Sequence, residues 1–182
     1  MRFVRNLIAF IIILVSFSNY SLANTDSSES IDIYAKAPYF QLEGYSAKKD
    51  GLGKWEINDF KGSWLVLYFY PKDFTQGCTI EGKGFERISK ELKGRNITIA
   101  GVSNDSSSDH KEFCIKEDLN FLLLSDKKGE ISKAYDSWNE PFSKRNTFLI
   151  NPEGLIVYKW NDVNPSTHPN DVLKLLNQKL QT

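Results

Sequence analysis

The sequence predicts an α/β domain: a mixed central sheet flanked by helices, with an N-terminal β-hairpin. Three observations lead there. The run "SWLVLYFY" is nearly all apolar and reads as a strand covered on both faces. From that run onward, strand-like and helix-like stretches alternate, as parallel strands joined by crossover helices do. Two pairs of short extended segments, one before the run and one late in the chain, each flank a turn and read as hairpins.

Each element has its own signal. "PYFQLEG" and "KWEINDFKG" surround the polar, glycine-containing "YSAKKDGLG" and form the first hairpin. After the apolar strand and a cysteine-containing turn, Phe85, Ile88 and Leu92 recur at helical spacing, so a helix runs to about Gly94. "NITIAGVS" is a second buried strand, and "SNDSSSD" supplies turn and cap chemistry for a helix through "HKEFCIKED". The acidic, serine-rich stretch from Asp105 to Asp109 is accordingly loop and cap rather than a metal site. "FLLLSD" is a third strand and "KGEISKAYD" a short helix. "NTFLI" and "LIVYKW" flank the turn "NPEG" as the second hairpin. "NDVLKLLNQKL" places Val172, Leu173, Leu176 and Leu180 on one side of a final amphipathic helix.

The 182 residues suffice for one ordinary domain, and 41% hydrophobic with 25% charged residues imply a packed core. With a formal net charge of zero and no Lys/Arg cluster, the electrostatic footprint of a nucleic-acid binder is missing. Residues 1–23 read as a cleaved export signal. Arg2 and Arg5 precede an apolar stretch from Leu7 to Phe17, and "SLA" fits cleavage after Ala23. The stretch is short for a membrane span, which needs about 20 residues. A flexible segment, 24–37, then leads into the domain at 38–182. Export, most simply to a periplasm, implies an oxidising compartment where thiols tend to pair.

That makes the chain's two cysteines, Cys78 and Cys114, informative. Cys78 lies in "PKDFTQGCTIEGKG", in what should be the first turn of a helix. Unpaired N–H groups and the helix dipole there favour an anion, and a thiol so placed ionises more readily. Pro71 ends the strand, and the Thr75 hydroxyl can accept from the helix start or bind a ligand near the sulfur. On the turn alone, the reactive thiol and the inert thiol beside a capping threonine both stand. Around Cys114, the residues at i±3 and i±4 are His110, Lys111, Glu117 and Asp118, which places it on a wet helix face. Phe74 and Trp138 are candidates to border the mouth of a site at Cys78. There is no Cys-x-x-Cys and no Cys–His ligand spacing. His110 and His168 are the only histidines, and His168 reads as a helix-entry or surface residue.

"YFYPKDFTQGCT" resembles the Pro-x-x-x-Thr-x-x-Cys signature of peroxiredoxins, with Pro71, Thr75 and Cys78 in its fixed positions. "KRNTFLINPEGLIVYKW" is similar to the family's segment with an arginine before a strand and hairpin. "APYFQLEG", "GVSNDSSSDHKEF", "FLLLSD" and "NPSTHPNDVLKLL" resemble its Q-type (bacterioferritin comigratory protein-like) branch, in the same order. The resemblance implies a thioredoxin-like fold and a thiol peroxidase that needs no bound cofactor. Cys78 would be the peroxidatic cysteine, Thr75 would position the peroxide, Arg145 would hold a guanidinium against the thiolate, and Pro71 would shield the site. It also implies hydroperoxide substrates, a thioredoxin-like protein reductant and a monomer. Many Q-type members carry a resolving cysteine five positions after the first, where this chain has Lys83. Others place it on the helix that holds Cys114, which makes Cys114 the implied resolver through an intramolecular disulfide. Opening of the first turn around Cys78 would bring the thiols together, eased by Gly77, Gly82 and Gly84. The alternative is an exported, non-enzymatic binding domain with a permanent Cys78–Cys114 staple.

Overall fold

The computed structural model describes residues 32–49, 51–92 and 94–180. The segment read as a signal, 1–23, lies outside them. The apolar run forms strand β3 (Trp64–Phe69), in which Leu65, Val66, Leu67 and Phe69 have no exposed surface. Before it come β1 (Gln41–Ser46) and β2 (Gly51–Glu56). After it come α1 (Gln76–Glu91), β4 (Ile97–Ser103), α2 (Ser107–Glu117), β5 (Leu122–Ser125) and α3 (Glu130–Ala134). A small ribbon, β6 (Trp138–Asn139) with β7 (Phe142–Ser143), follows, its strands too short to leave a sequence signal. The chain closes with β8 (Thr147–Ile150), β9 (Ile156–Trp160) and α4 (His168–Lys179).

Seven strands make one mixed sheet in the order β2-β1-β5-β4-β3-β8-β9. β3, β4 and β5 are parallel, whereas β1 and β8 run antiparallel to β5 and β3, and each outer pair is a hairpin. Both expected hairpins and the parallel centre are present, in the thioredoxin-like arrangement. The backbone of residues 34–37 is also bonded to the late hairpin, through Tyr34 N to Ile156 O and Ala37 N to Gly154 O.

Side-chain alternation along β3 divides the core in two. Val66, Tyr68 and Tyr70 meet Phe85 and Ile88 of α1, Phe113 and Cys114 of α2, and Val172 and Leu176 of α4. Leu65, Leu67 and Phe69 meet Phe148, Ile150, Tyr135 and the ring pair Phe40–Phe60 on the opposite face. Burying each such side chain stabilises the fold by roughly 1.5–3 kcal/mol. Helix α2 starts on a capping box, with the Ser106 hydroxyl accepting from the Asp109 amide and the Asp109 carboxylate accepting from Ser106, as the loop-and-cap reading expected.

His168 is the first residue of α4, but it is buried, not on the surface. The rings of Trp160 and Phe85 enclose it, its Nε2 lies 2.8 Å from Thr147 Oγ1, and burial lowers its pKa to about 4.

Tyr68 and Gly101 are register partners on β3 and β4, and the tyrosine ring crosses the glycine to stack on Phe85 at 4.4 Å. A Cβ at position 101 would come within 2.7 Å of the Tyr68 ring and 2.8 Å of Leu123. Gly101→Ala should therefore lower the unfolding free energy by about 1–3 kcal/mol in urea denaturation. An unchanged midpoint would show that the tyrosine and the leucine can give way.

Candidate active site

The antiparallel pairing of β3 with β8 assembles the site. Tyr68 opposes Thr147, so the chain leaving β3 at Tyr70–Pro71 lies beside the chain arriving at β8 through Arg145 and Asn146. The Phe69 amide donating to the Asn146 carbonyl at 2.8 Å extends that pairing to the sheet's edge. From there the chain makes one turn and enters α1, with Thr75 as its N-terminal flanking residue and Cys78 in the first helical turn. The amides of that turn have no intrahelical acceptor.

Arg145 joins the two segments. Its Nη2 donates to Cys78 Sγ at 3.4 Å, and its Nη1 donates to Glu81 Oε2 at 2.8 Å. Gly77 makes room, since a Cβ there would stand 2.8 Å from Nη2. Cys78 is 2% exposed and Glu81 0%, so the guanidinium serves two buried groups while keeping its own charge. No motif in the sequence singles out Glu81, although its i+3 spacing from Cys78 puts it on the same helix face. Burial raises its pKa from the usual 4.5 to about 7 against the opposing pull of Arg145, and its Oε1 has no partner.

Pro71 is half-buried at the mouth of the turn and Thr75 is exposed. The Thr75 hydroxyl makes no cap bond to α1; it donates back to the Lys72 carbonyl at 3.0 Å. Phe74, just before it, holds a left-handed backbone (φ 61°), which is strained for a bulky residue. Its ring meets Phe113 of α2 edge-on at 5.1 Å, with the Lys116 ammonium 5.3 Å above it. Phe74 thus packs onto α2 from the turn before Cys78. Trp138 instead packs over Gly129 and beneath Lys133, beside α3.

Cys114 departs from its expected place. It is 2% exposed, on an interior face rather than a wet one. Of its four polar neighbours Lys111 and Asp118 are exposed, but His110 and Glu117 have partners within the protein and leave the cysteine facing inward. The His110 ring has no exposed surface and its Nδ1 lies 2.8 Å from Asp73 Oδ2, while Glu117 pairs with Lys83 of α1 at 2.7 Å. Tyr70 completes this buried group by donating to Asp73 Oδ1 at 2.8 Å, and the Asp73 amide donates to Asp105. Burial, then the charges of Asp73 and Glu86, push the Cys114 thiol up to about 12. Both cysteines are free thiols in one core cluster that also holds Tyr68.

Gly82 and Gly84, expected to ease helix opening, are also sites of close packing. Cβ atoms there would stand 3.2 Å from Leu119 and 2.6 Å from Pro169.

The profile of the AhpC/TSA family matches residues 33–159. This chain belongs to the AhpC/TSA family. Peroxiredoxin Bcp of Bacillus subtilis is 37% identical over 155 residues, which is 81% of this chain and 96% of that protein. The solved structure of the Xanthomonas campestris bacterioferritin comigratory protein, a study of alkyl peroxide reduction, superposes with a TM-score of 0.72 at 31% identity, covering 82% of this chain and 99% of that one. Xanthomonas campestris Peroxiredoxin Q has been solved as serine mutants of two cysteines whose separation equals that of Cys78 and Cys114. One of those mutants gives a TM-score of 0.70 at 33% identity over 76% of this chain and 90% of that one. The chain is thus a peroxiredoxin of the Bcp/PrxQ type, a thiol-dependent hydroperoxide reductase.

Two outcomes are expected for this peroxiredoxin. Glu81 stays protonated in the folded state up to about pH 7 and ionises from 4.5 when unfolded, so folding stability is lost as pH rises through that window. Glu81→Gln, neutral throughout, should gain stability relative to the parent between pH 4.5 and 7 in urea titrations; parallel curves would contradict the buried carboxyl. Gly77→Ala keeps every site group but displaces the guanidinium. It should slow thiol oxidation by hydrogen peroxide about tenfold, and an unchanged rate would show that the guanidinium need not touch the sulfur.

Proposed function

We propose that the peroxiredoxin reduces hydrogen peroxide and organic hydroperoxides through Cys78 and resolves the product through Cys114. The observation that carries this reading is the Arg145 guanidinium donating to Cys78 Sγ at the start of α1. The Cys78 thiolate attacks the terminal peroxide oxygen, the O–O bond breaks, and the sulfur becomes a sulfenic acid as the alkoxide leaves and takes a proton. Charge moves from sulfur to the leaving oxygen, and a fixed cation beside both stabilises that displacement more than the resting state. Thr75 and Pro71 frame the opening through which peroxide reaches the buried sulfur; Thr75 orients the peroxide and Pro71 limits water.

The Cys114 thiol then displaces hydroxide from the sulfenic acid and forms an intramolecular disulfide, which an external dithiol of thioredoxin-like type reduces. The matching cysteine spacing in Xanthomonas campestris Peroxiredoxin Q supports this assignment. Disulfide geometry requires Cα atoms about 4.4–6.8 Å apart, and opening of one helix would bring the two thiols together. The first turn of α1 has no side-chain cap, whereas α2 begins on a capping box. The protein acts as a monomer, and residues 1–23 direct it out of the cytoplasm, where a reductant of that compartment recycles it. A permanent staple is the less favoured reading, since both thiols are free.

Stopped-flow peroxide consumption by the mature protein with dithiothreitol tests the proposal. Cys78→Ser should abolish turnover, and Arg145→Ala should lose about 10²–10³-fold while keeping residual activity from the helix terminus. Cys114→Ser should halt at the sulfenic acid with no internal disulfide in non-reducing mass spectrometry. Peroxide turnover by Cys78→Ser would overturn the whole assignment.

A further inference from the structure

The buried group behind Cys114 has the parts of a proton-transfer relay. Tyr70 donates to one oxygen of Asp73, and the other oxygen lies 2.8 Å from His110 Nδ1. A carboxylate already accepting from a tyrosine places the imidazole proton on Nδ1, because only a donor fits that contact. The other ring nitrogen, Nε2, is then a bare acceptor. It is fully buried and has no hydrogen-bond partner among the described residues, which calls for a reason in a group of this polarity. Cys114 is four residues further along α2, so its side chain follows His110 on the same buried face, with Cβ atoms roughly 5–6 Å apart. Carboxylate and imidazole are thus joined as orienter and base are in acyl-transfer enzymes, with the thiol on the same helix face but not hydrogen-bonded to Nε2 in the reduced protein.

We propose that His110, oriented by Asp73 and Tyr70, is the general base that deprotonates Cys114 during disulfide formation. This rests on Cys114 being the resolving thiol. As the Cys114 Sγ–Cys78 Sγ bond forms and the sulfenic S–O bond breaks, the thiol proton passes to His110 Nε2. It is then delivered to the departing hydroxide, so the products are the disulfide and one water, with no further oxidant. The need for a base is clear from the thiol's surroundings: at a pKa of about 12 only about one thiol in 10⁵ is ionised at neutral pH. Other titratable groups close to the pair are Asp105 and Asp109, which flank the cap of α2, Tyr45 of β1 and Tyr68 of β3 in the same core, and Glu86 of α1. Capping holds α2 in place while the uncapped first turn of α1 opens, so the relay stays with Cys114 and the oxidised sulfur comes to it.

Quenched-flow mass spectrometry of the full chain after one equivalent of hydrogen peroxide separates Cys78 sulfenic acid formation from disulfide closure. His110→Gln should leave the first step near its parent rate and slow closure about 100-fold at pH 7. Asp73→Asn should do the same to closure, because an amide donating to Nδ1 moves the proton to Nε2 and removes the acceptor. In both variants closure should recover about tenfold per pH unit toward pH 9, as solvent takes over deprotonation. Closure at the parent rate in the variants would overturn the base assignment and leave Cys114 as resolver. Slowed closure that does not recover with pH would make His110 a packing residue and also overturn it. Absence of any disulfide in the parent protein would overturn both readings. If His110→Gln does not fold, Asp73→Asn, which preserves volume and contacts, decides alone.

Discussion

A single guanidinium sustains the site, and two buried groups depend on it. Arg145 donates to Cys78 and to Glu81 at once, and Glu81 has no other partner for its carboxyl. The pairing is asymmetric in what it demands. The sulfur would need a positive neighbour for the proposed chemistry, while the carboxyl, once ionised, needs one to tolerate burial. Chemistry and core integrity therefore meet in one side chain, and the surrounding architecture serves its placement. The β3–β8 register sets where Arg145 emerges, Gly77 leaves space over the helix, and the start of α1 presents the sulfur.

Much of this was legible in the residues themselves. Alternation and apolar runs identified the strands, and the β3 run is as deeply buried as its composition requires. Helical spacing located α1 and α4, and serine-rich cap chemistry located the start of α2. Cys78 was readable because a helix-start thiol has a physical consequence wherever it occurs. Arg145 was not readable alone; it came through resemblance, since nothing local distinguishes an arginine that crosses to a neighbouring strand from one in solvent.

What escaped the sequence reading has a common cause. Glu81, Asp73 and His110 are polar residues, and a polar residue at an arbitrary position is best taken as solvent-facing. Each is buried with a partner distant in sequence for one of its polar atoms, Arg145 for Glu81, and Asp73 and His110 for each other. The same cause misplaced Cys114. A helix face flanked by histidine and glutamate looks wet until their partners are known, so periodicity read from residue type alone misplaces any polar cluster that closes on itself. The β6–β7 ribbon was missed for a plainer reason: strands of two residues have too little alternation to detect.

The fastenings of α1 beyond its first turn govern how far an oxidised sulfur can travel. Lys83 is tied to Glu117, Gly84 seats against Pro169, and Phe85 is stacked on Tyr68. The ion pair alone is a weak restraint, but together the three act as a firebreak, against which any opening of the first turn in the proposed mechanism would stop near Gly82. In that mechanism Cys78 would ride a short leash, sweeping an arc of a few residues' reach. Any thiol inside that arc meets it at an effective concentration on the order of millimolar or more, which puts partners on the same chain ahead of sulfurs arriving by diffusion.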